Sequence, residues 1–414
     1  MLIPAERVAQ RRYVRAAQTQ TQPFALAQPP TVLRGLRDLG FRDTAGALCA
    51  LIDNAIDAYA RTVDIVLLTA GRKVEAIAVV DDGVGMPPEM LAAAWAVGET
   101  CRLGDGPHLA RTGFGLPTAP LAVGQRFRLL SQSKGGQRHG VTFDLDEMTA
   151  VARPALTAAP AAWPEALAAK LPKPAGSGTA VILERLDRVT PAAPAALREM
   201  LRLRLGYVFQ AYAHRITLRV DGQTVRPIDP LFITPGSAGY VAGAEGATPG
   251  PSFEVGFGSG RVTVRSAWFP HAFSPYGRDR RVIDAETELR RKVLRGCEGL
   301  IVSRLGRRLD VVTAVGDWRH QTNDRAFRME LDFSPDLDAD FGPAVCLQTV
   351  RITPAAWGRL ERGGLTQTAL QLRRLCRDER YAHAAAVQAQ ALSRRRPSLD
   401  AIAKATSSSP ETGA

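Results

Sequence analysis

Hydrophobic residues recur with helical spacing near the N-terminus and then gather into short strand-like runs. The stretch "TVLRGLRDLG" (31–40) predicts one helix, and a second begins near Thr44, a suitable N-cap residue. Apolar runs bounded by turn residues predict strands at 62–68, 74–80, 125–132, 139–145 and 178–186. A further helix is predicted by "PPEMLAAAWAVG", which starts with prolines and continues with good helix formers. This mixture of elements indicates an α/β chain.

The second half of the chain continues the mixture. A helix is predicted at 192–212, and "RITLRVDGQTV" predicts a hairpin because Asp-Gly is typical of its turn. The predicted division is an N-terminal arm (1–30), a first domain (31–190), a second α/β domain (191–355), a helical basic segment (356–400) and a tail (401–414) that is disordered by composition.

The second predicted helix contains "ALCALIDNAIDAYA" (47–60), which is apolar apart from an asparagine and two aspartates. Its apolar stripe consists of Leu48, Leu51, Ile52, Ala55 and Ile56. Positions 50, 54 and 57 share a different face, because their spacing is i, i+4, i+7. Buried polar side chains need polar partners, so Asn54 and Asp57 predict a ligand or a partner on this face.

Three further segments look suited to holding a ligand. The strand at 74–80 leads to Asp81 and stops at Gly83 and Gly85, where missing side chains let the backbone approach a ligand. "RTGFGLPTAP" places two glycines at the start of a predicted helix, where free backbone N–H groups suit phosphate. Finally, Gly178 and Thr179 open an apolar strand.

Together, in this order and spacing, the four segments resemble the GHKL ATP-binding fold. That fold is shared by DNA gyrase B subunits, MutL repair proteins, heat-shock chaperones, MORC proteins and sensor histidine kinases. The resemblance covers roughly residues 30–190 and implies an α+β sandwich of the Bergerat type that binds ATP with Mg²⁺.

The resemblance also assigns roles. Asn54 would bind the Mg²⁺ that bridges the phosphates, and Mg²⁺ does prefer oxygen ligands and retained waters. Asp81 would accept the adenine amino group, for which a buried carboxylate is a strong acceptor. The remaining roles are lining the base pocket (Gly83, Gly85, Met86), capping the phosphates as a lid (Gly113, Phe114, Gly115, Leu116) and contacting the adenine side (Thr179). Asp57 either faces the ligand or braces the helix.

One position departs from the family pattern. The family has a glutamate, or sometimes an aspartate, four residues before the asparagine, and this carboxylate acts as general base for the attacking water. Here that position is Ala50. Asp53 is one helix step from Asn54 and points about 100° away from it. Either the chain is a natural pseudo-ATPase, or Ala50 is an engineered substitution in an ATPase that is active in its natural form.

The second domain resembles that of a bacterial MORC-like or MutL-like group, in which a ribosomal-S5-like domain follows the ATP domain. The resemblance rests on "RPIDPLF", "GLIVSRLGRRLD" and "MELDFSPDLDADFGPAVCLQTVRI". In that group a lysine just before a glutamine reaches the γ-phosphate. Here Leu347 precedes Gln348, so the switch lysine is missing, and Arg351 would replace it only after a register shift.

Charge and cysteine content add little specificity. The formal net charge of +12 favours polyanionic partners, although an arginine-rich composition also follows from a GC-rich genome. Basic residues concentrate at 371–404, which indicates either DNA binding or a solvated helix face. The five scattered cysteines argue against a zinc site or a disulfide framework and favour a reducing, cytoplasmic location. No apolar run is long enough to cross a membrane.

The function predicted from the sequence is a nucleotide-dependent conformational switch that forms a homodimer on binding Mg-ATP and hydrolyses it slowly or not at all. The alternatives are an active ATPase in a DNA-related or defence role and a non-hydrolysing DNA-binding scaffold. An operon partner protein is also expected.

Overall fold

The computed structural model describes residues 29–98, 107–110, 112–151, 155–169, 176–258, 260–271, 273, 284–316 and 318–395. Within these ranges the chain is mixed α/β, with helices packed against two large sheets, as the sequence predicts. The predicted arm at 1–30 lies almost wholly outside the described residues, and the tail at 401–414 lies wholly outside them.

The first described helices are α1 (Pro29–Leu36) and α2 (Thr44–Asp57). The N-cap of α2 is Asp43, whose carboxylate accepts a hydrogen bond from the Gly46 N–H at 2.7 Å. The predicted cap was one residue too late, because Thr44 is already helical. The Thr44 hydroxyl instead accepts a hydrogen bond from the Thr190 N–H at 2.8 Å, which ties the start of α2 to the segment that follows the strand ending at Leu186.

The first sheet has the strand order β5-β4-β3-β6-β2-β1-β7-β8. Neighbouring strands are antiparallel except β1 and β7, which are parallel. Its strands are β1 (Thr62–Ala70), β2 (Lys73–Asp81), β3 (Gly124–Gln132), β4 (His139–Asp144), β5 (Ala159–Pro160), β6 (Gly178–Leu186), β7 (Thr217–Val220) and β8 (Gln223–Thr224).

Both faces of this sheet are covered. Side chains alternate along β2, so that Ile77 and Val79 join the large core under α2 while Ala78 and Val80 join a smaller cluster on the opposite face. The helices that accompany the sheet are α3 (Pro88–Ala93), α4 (Gly115–Leu121), α5 (Leu145–Ala150), α6 (Glu165–Ala168) and α7 (Pro194–Val208).

The hairpin of β7 and β8 belongs to this first sheet. Asp221 and Gly222 form its turn with positive φ values of 47° and 75°, as the Asp-Gly signal predicts. The Asp221 carboxylate accepts a hydrogen bond from the Leu67 N–H of β1 at 2.8 Å. The first sheet and its core therefore continue to Val225, and the predicted division after residue 190 falls inside this unit.

The second sheet has the order β10-β11-β16-β12-β13, with β9 paired to β11 and β12 parallel to β16. One face packs on α10 and α11 and the other on α8. The elements are β9 (Thr248–Pro249), β10 (Phe253–Gly256), β11 (Arg261–Trp268), α8 (Ala285–Gly296), β12 (Leu300–Arg304), β13 (Arg307–Val312), β14 (Ala314–Val315), β15 (Trp318–Arg319), β16 (Phe327–Phe333), α9 (Asp338–Phe341), α10 (Pro354–Arg362) and α11 (Leu365–Arg395). The likeness to the ribosomal-S5-like fold stays a prediction.

Among the described residues, no helix combines the length and apolar character needed to cross a bilayer.

Candidate functional site

A cavity of about 300 Å³ lies between α2, the ends of β2 and β6, the start of α4 and the loop 344–347. Predicted site residues from all four motifs and from the second domain line this cavity. Those that line it are Ala50, Asn54, Asp81, Gly85, Met86, Gly113, Gly115, Leu116, Thr179 and Leu347. The predicted residues Asp57, Gly83, Phe114 and Gln348 do not line it.

The start of α4 lies against the polar face of α2. A Cβ added at Gly115 would lie 3.7 Å from the Ala50 Cβ and 4.0 Å from Asn54 Nδ2. Among the described residues, none hydrogen-bonds to the Asn54 side chain, which is half-buried at the cavity wall. Gly113 has a φ of +68°, a conformation that glycine adopts without strain. Residues 99–106 and 111 of the predicted lid loop lie outside the described residues.

Asp57 turns away from the cavity and holds the segment before α4. Its carboxylate accepts hydrogen bonds from the Leu109 N–H at 3.0 Å and the Ala110 N–H at 2.8 Å. The His108 ring nitrogen Nδ1 lies 3.7 Å from the same carboxylate. The sequence left two roles open for Asp57, facing the ligand or bracing the helix. The contacts present are bracing contacts, and Asp57 does not line the cavity.

Asp53 pairs with an arginine of the second domain. Arg307, on β13, places Nε and Nη2 at 3.1 and 3.0 Å from the two carboxylate oxygens, and both side chains are 2% exposed. The Arg307 guanidinium also donates to the Leu347 carbonyl. Burial raises the pKa of Asp53, although Arg307 opposes this shift. No local sequence pattern points to this pair, because 254 residues separate its members.

At the other end of the cavity, Asp81 accepts a hydrogen bond from the Gly83 N–H at 2.9 Å. Burial raises the pKa of Asp81 to about 7, against the opposing hydrogen bond from Gly83. The Asp81 side chain therefore exchanges a proton near neutral pH while remaining the acidic group at this end of the cavity. A carboxyl group with a shifted pKa in a concave site is typical of ligand-binding positions.

Ser131, on β3, is a site residue that the sequence did not reveal. Its hydroxyl accepts a hydrogen bond from the Met86 N–H at 2.9 Å and lies 2.9 Å from the Thr179 hydroxyl. It also donates to the Gly178 carbonyl at 3.1 Å. Ser131 is buried and fixes Thr179 relative to the loop that follows Asp81.

Close packing of the chain requires the glycines after Asp81, and Gly85 also lines the cavity. A Cβ at Gly85, where φ is +68°, would lie 2.0 Å from the Gln132 carbonyl oxygen. A Cβ at Gly83 would lie 2.8 Å from the Ala58 carbonyl oxygen. Contacts this short exclude any side chain, so both glycines are needed to hold the loop in place.

The loop 344–348 joins the second domain to the start of α2. Leu347 has a φ of +52°, unusual for a residue with a side chain, and its side chain packs in the second core. Gln348 is buried, and its Oε1 accepts a hydrogen bond from the Arg42 N–H at 3.0 Å. A Cβ at Gly46 would lie 2.4 Å from Gln348 Nε2. Arg351 is exposed and does not line the cavity.

The charges of the residues that line the cavity limit which ligand it could bind. The described residues that line it include no lysine or arginine, so a triphosphate there would need its charge balanced by another cation. Asn54 offers one amide oxygen, and the described residues contain no cluster of three or more His, Cys, Asp or Glu side chains suited to a metal. This fits Mg²⁺ that arrives with the nucleotide and keeps phosphate and water ligands.

The comparison with known families agrees with this geometry. Residues 42–178 match the family model described as "Histidine kinase-, DNA gyrase B-, and HSP90-like ATPase". This part of the chain, about a third of its length, belongs to the GHKL superfamily. No curated protein matches the chain.

Proposed function

We propose that the chain binds Mg-ATP in the 300 Å³ cavity and uses it as a conformational switch with slow or absent hydrolysis. The observation that carries the proposal is the convergence of four separated motifs on one cavity in a domain of this superfamily. The chain's location is expected to be cytoplasmic.

Each end of the cavity has a distinct role. Asp81 binds the adenine amino group through its carboxyl oxygen, while Thr179, held by Ser131, contacts the base from the neighbouring strand. Asn54 would hold Mg²⁺, which supplies charge balance for the phosphates. Ala50 occupies the position from which a carboxylate would polarise the attacking water, and a methyl group accepts no proton. Binding is therefore expected without efficient turnover.

The contacts of the second domain supply the switch. Arg307 holds both Asp53 of α2 and the Leu347 carbonyl, so movement of α2 on nucleotide binding is transmitted to the second sheet. The absence of a lysine at position 347 leaves the γ-phosphate without the usual contact from this loop. Association of two chains through their ATP domains is part of the proposal, and Mg-ATP should raise the mass in light scattering more than ADP does. A monomeric mass at saturating ATP and high protein concentration would contradict it.

Titration calorimetry of Asp81→Ala tests the pocket. Loss of a charge-assisted hydrogen bond worth about 1.5–3 kcal/mol should weaken ATP binding about ten- to a hundredfold. Glu75→Ala is the matched control, because Glu75 lies on the same strand, is exposed and does not line the cavity. Unchanged ATP affinity in a folded Asp81→Ala protein would show that the pocket assignment is wrong.

Two alternatives use the same chain differently. An active natural ATPase, in which Ala50 is a substitution, requires that Ala50→Glu restore turnover. A DNA-binding scaffold with a dead pocket requires no ATP affinity and relies on the basic segment. In that segment Arg373 is engaged in a bidentate pair with buried Asp324 at 2.7 and 2.8 Å, so it supports α11 packing and is not available to DNA.

The DNA alternative is tested by truncating the chain after Tyr381. A cut before α11 would also remove Leu372 and Cys376 from the second core, whereas residues 382–392 are exposed. Duplex affinity that falls steeply with salt and disappears in the truncated chain would favour DNA binding. Equal affinity in both chains would show that the residues after Tyr381 do not carry the DNA binding, and no affinity in either chain would remove this alternative.

A further inference from the structure

A second cavity, of about 480 Å³, lies at the junction of the two domains on the other side of Arg307. It is bounded by the start of α2, by α7, by the end of α8 and by β13. We call it the junction cavity. Arg307 and Gln348 line it, while their neighbours Asp53 and Leu347 line the first cavity, so the two cavities share a wall.

The lining of the junction cavity is rich in arginine. Five arginines and two carboxylates line it, namely Arg42, Arg204, Arg295, Arg307 and Arg308 with Glu298 and Asp310. Three of the arginines are committed to carboxylates, as Arg42–Asp310, Arg307–Asp53 and Arg308–Glu330.

The two remaining arginines leave a surplus of positive charge. Within the described part of the chain, neither Arg204 nor Arg295 forms a salt bridge, although Glu288 of the same helix acts on Arg295 electrostatically. Glu298 pairs with Arg325 at 3.1 Å. Arg295 lies in the last turn of α8 and Arg204 on α7, so the two cations reach the cavity from different helices. An anion with more than one charge would complete this arrangement.

Hydrogen-bond donors without an acceptor around the junction cavity also favour an anionic ligand. Gln348 is 3% exposed, and its Nε2 has no acceptor among the described residues. Among the described residues Arg204 Nε, which also lines the junction cavity, likewise has no acceptor, whereas the Tyr207 hydroxyl is paired with Cys297. A buried donor without an acceptor destabilises the folded chain. Two such groups around one cavity favour a ligand rich in oxygen acceptors.

We infer that the junction cavity is a second binding site, specific for a small oxyanion of the phosphate or pyrophosphate class. Arg204 and Arg295 supply the charge, and the Gln348 amide supplies a buried donor. The inference does not depend on ATP binding in the first cavity, because none of the groups that carry it lines that cavity.

The probe is pyrophosphate, titrated into the full chain by calorimetry with and without a saturating non-hydrolysable ATP analogue. The variants are Arg295→Gln, at an exposed helix end, and Arg204→Gln. Arg72→Gln is the control, because it removes the same charge from an exposed turn far along the chain. We expect saturable binding of one pyrophosphate that persists with the analogue and weakens about tenfold or more in both variants, as loss of a charged hydrogen bond implies.

Equal weakening in Arg72→Gln would reduce the effect to general electrostatics and overturn the inference. Absence of saturable binding would overturn it as well. Binding that the ATP analogue abolishes would place pyrophosphate in the first cavity, which would contradict the inference while supporting the proposed function.

Discussion

Replacement of Arg307 by methionine should destabilise the whole chain, because it would strand a buried carboxylate. Asp53 and Arg307 are both 2% exposed, and two hydrogen bonds of 3.0 and 3.1 Å join them. Removing one member of such a pair costs about 3–5 kcal/mol, since the other charge then stays buried without a partner. Arg307→Met also removes the donor to the Leu347 carbonyl, so the upper part of that range is expected.

The assay is denaturant unfolding of the parent chain, Asp53→Asn, Arg307→Met and the double variant. The double variant should recover part of the loss, because it leaves no unpaired charge in the interface. Arg226→Met is a matched control, since the Arg226–Glu286 pair is 62% and 43% exposed and exposed pairs contribute about 0–1 kcal/mol.

Two outcomes would refute this reasoning. One is a loss in Arg307→Met no larger than that in Arg226→Met. The other is strict additivity of the two single changes, because groups that interact directly show a coupling energy in such a cycle. Either result would mean that the two domains are held together by their apolar contacts and that the ion pair contributes nothing specific.

Three further predictions concern the first cavity. Because no lysine or arginine lines its described wall, ATP binding measured by calorimetry should weaken at least about tenfold when EDTA removes Mg²⁺; unchanged binding would point to protein cations. Burial raises the pKa of Asp81 to about 7, so the stabilising effect of its protonated form is complete below about pH 4 and lost as pH rises through 7. Asp81→Asn should therefore gain about 2–4 kcal/mol over the parent chain between pH 4 and pH 8 in unfolding experiments, and parallel pH profiles would contradict the shift. Finally, Ala50→Glu should raise steady-state phosphate release by about 10²–10⁴-fold over the parent chain. A parent chain that releases phosphate as fast as Ala50→Glu would contradict this prediction.

The sequence predicts the first domain well because its signals are local. Asp81 follows directly on its strand, and Gly115 opens its helix. Apolar periodicity and turn residues carry such features within about a dozen positions. Most of the site residues that the motifs named line one cavity, whereas Asp57, Gly83, Phe114 and Gln348 do not line it. The individual roles stay predictions.

Features that depend on distant pairing were not predictable in the same way. Nothing near Asp53 indicates that it meets Arg307, and nothing near Thr217 indicates that β7 pairs in parallel with β1. The glycines after Asp81 were expected to approach a ligand, which stays a prediction, whereas the backbone at Ala58 and Gln132 that excludes side chains there has no local signal in the sequence. A single strand pattern says which residues are buried and not which strand covers them.

The contact between Gly46 and Gln348 has a consequence for how this chain can change over time. Glycine inside a helix is about 1 kcal/mol less favourable than alanine. A change from glycine to alanine would therefore ordinarily stabilise the chain and be retained during evolution. At position 46 an added Cβ would lie 2.4 Å from Gln348 Nε2. Alanine there would favour the helix but would clash with the loop of the second domain. The two positions should therefore covary. Relatives that carry a side chain at the position of Gly46 should lack the glutamine at the position of Gln348.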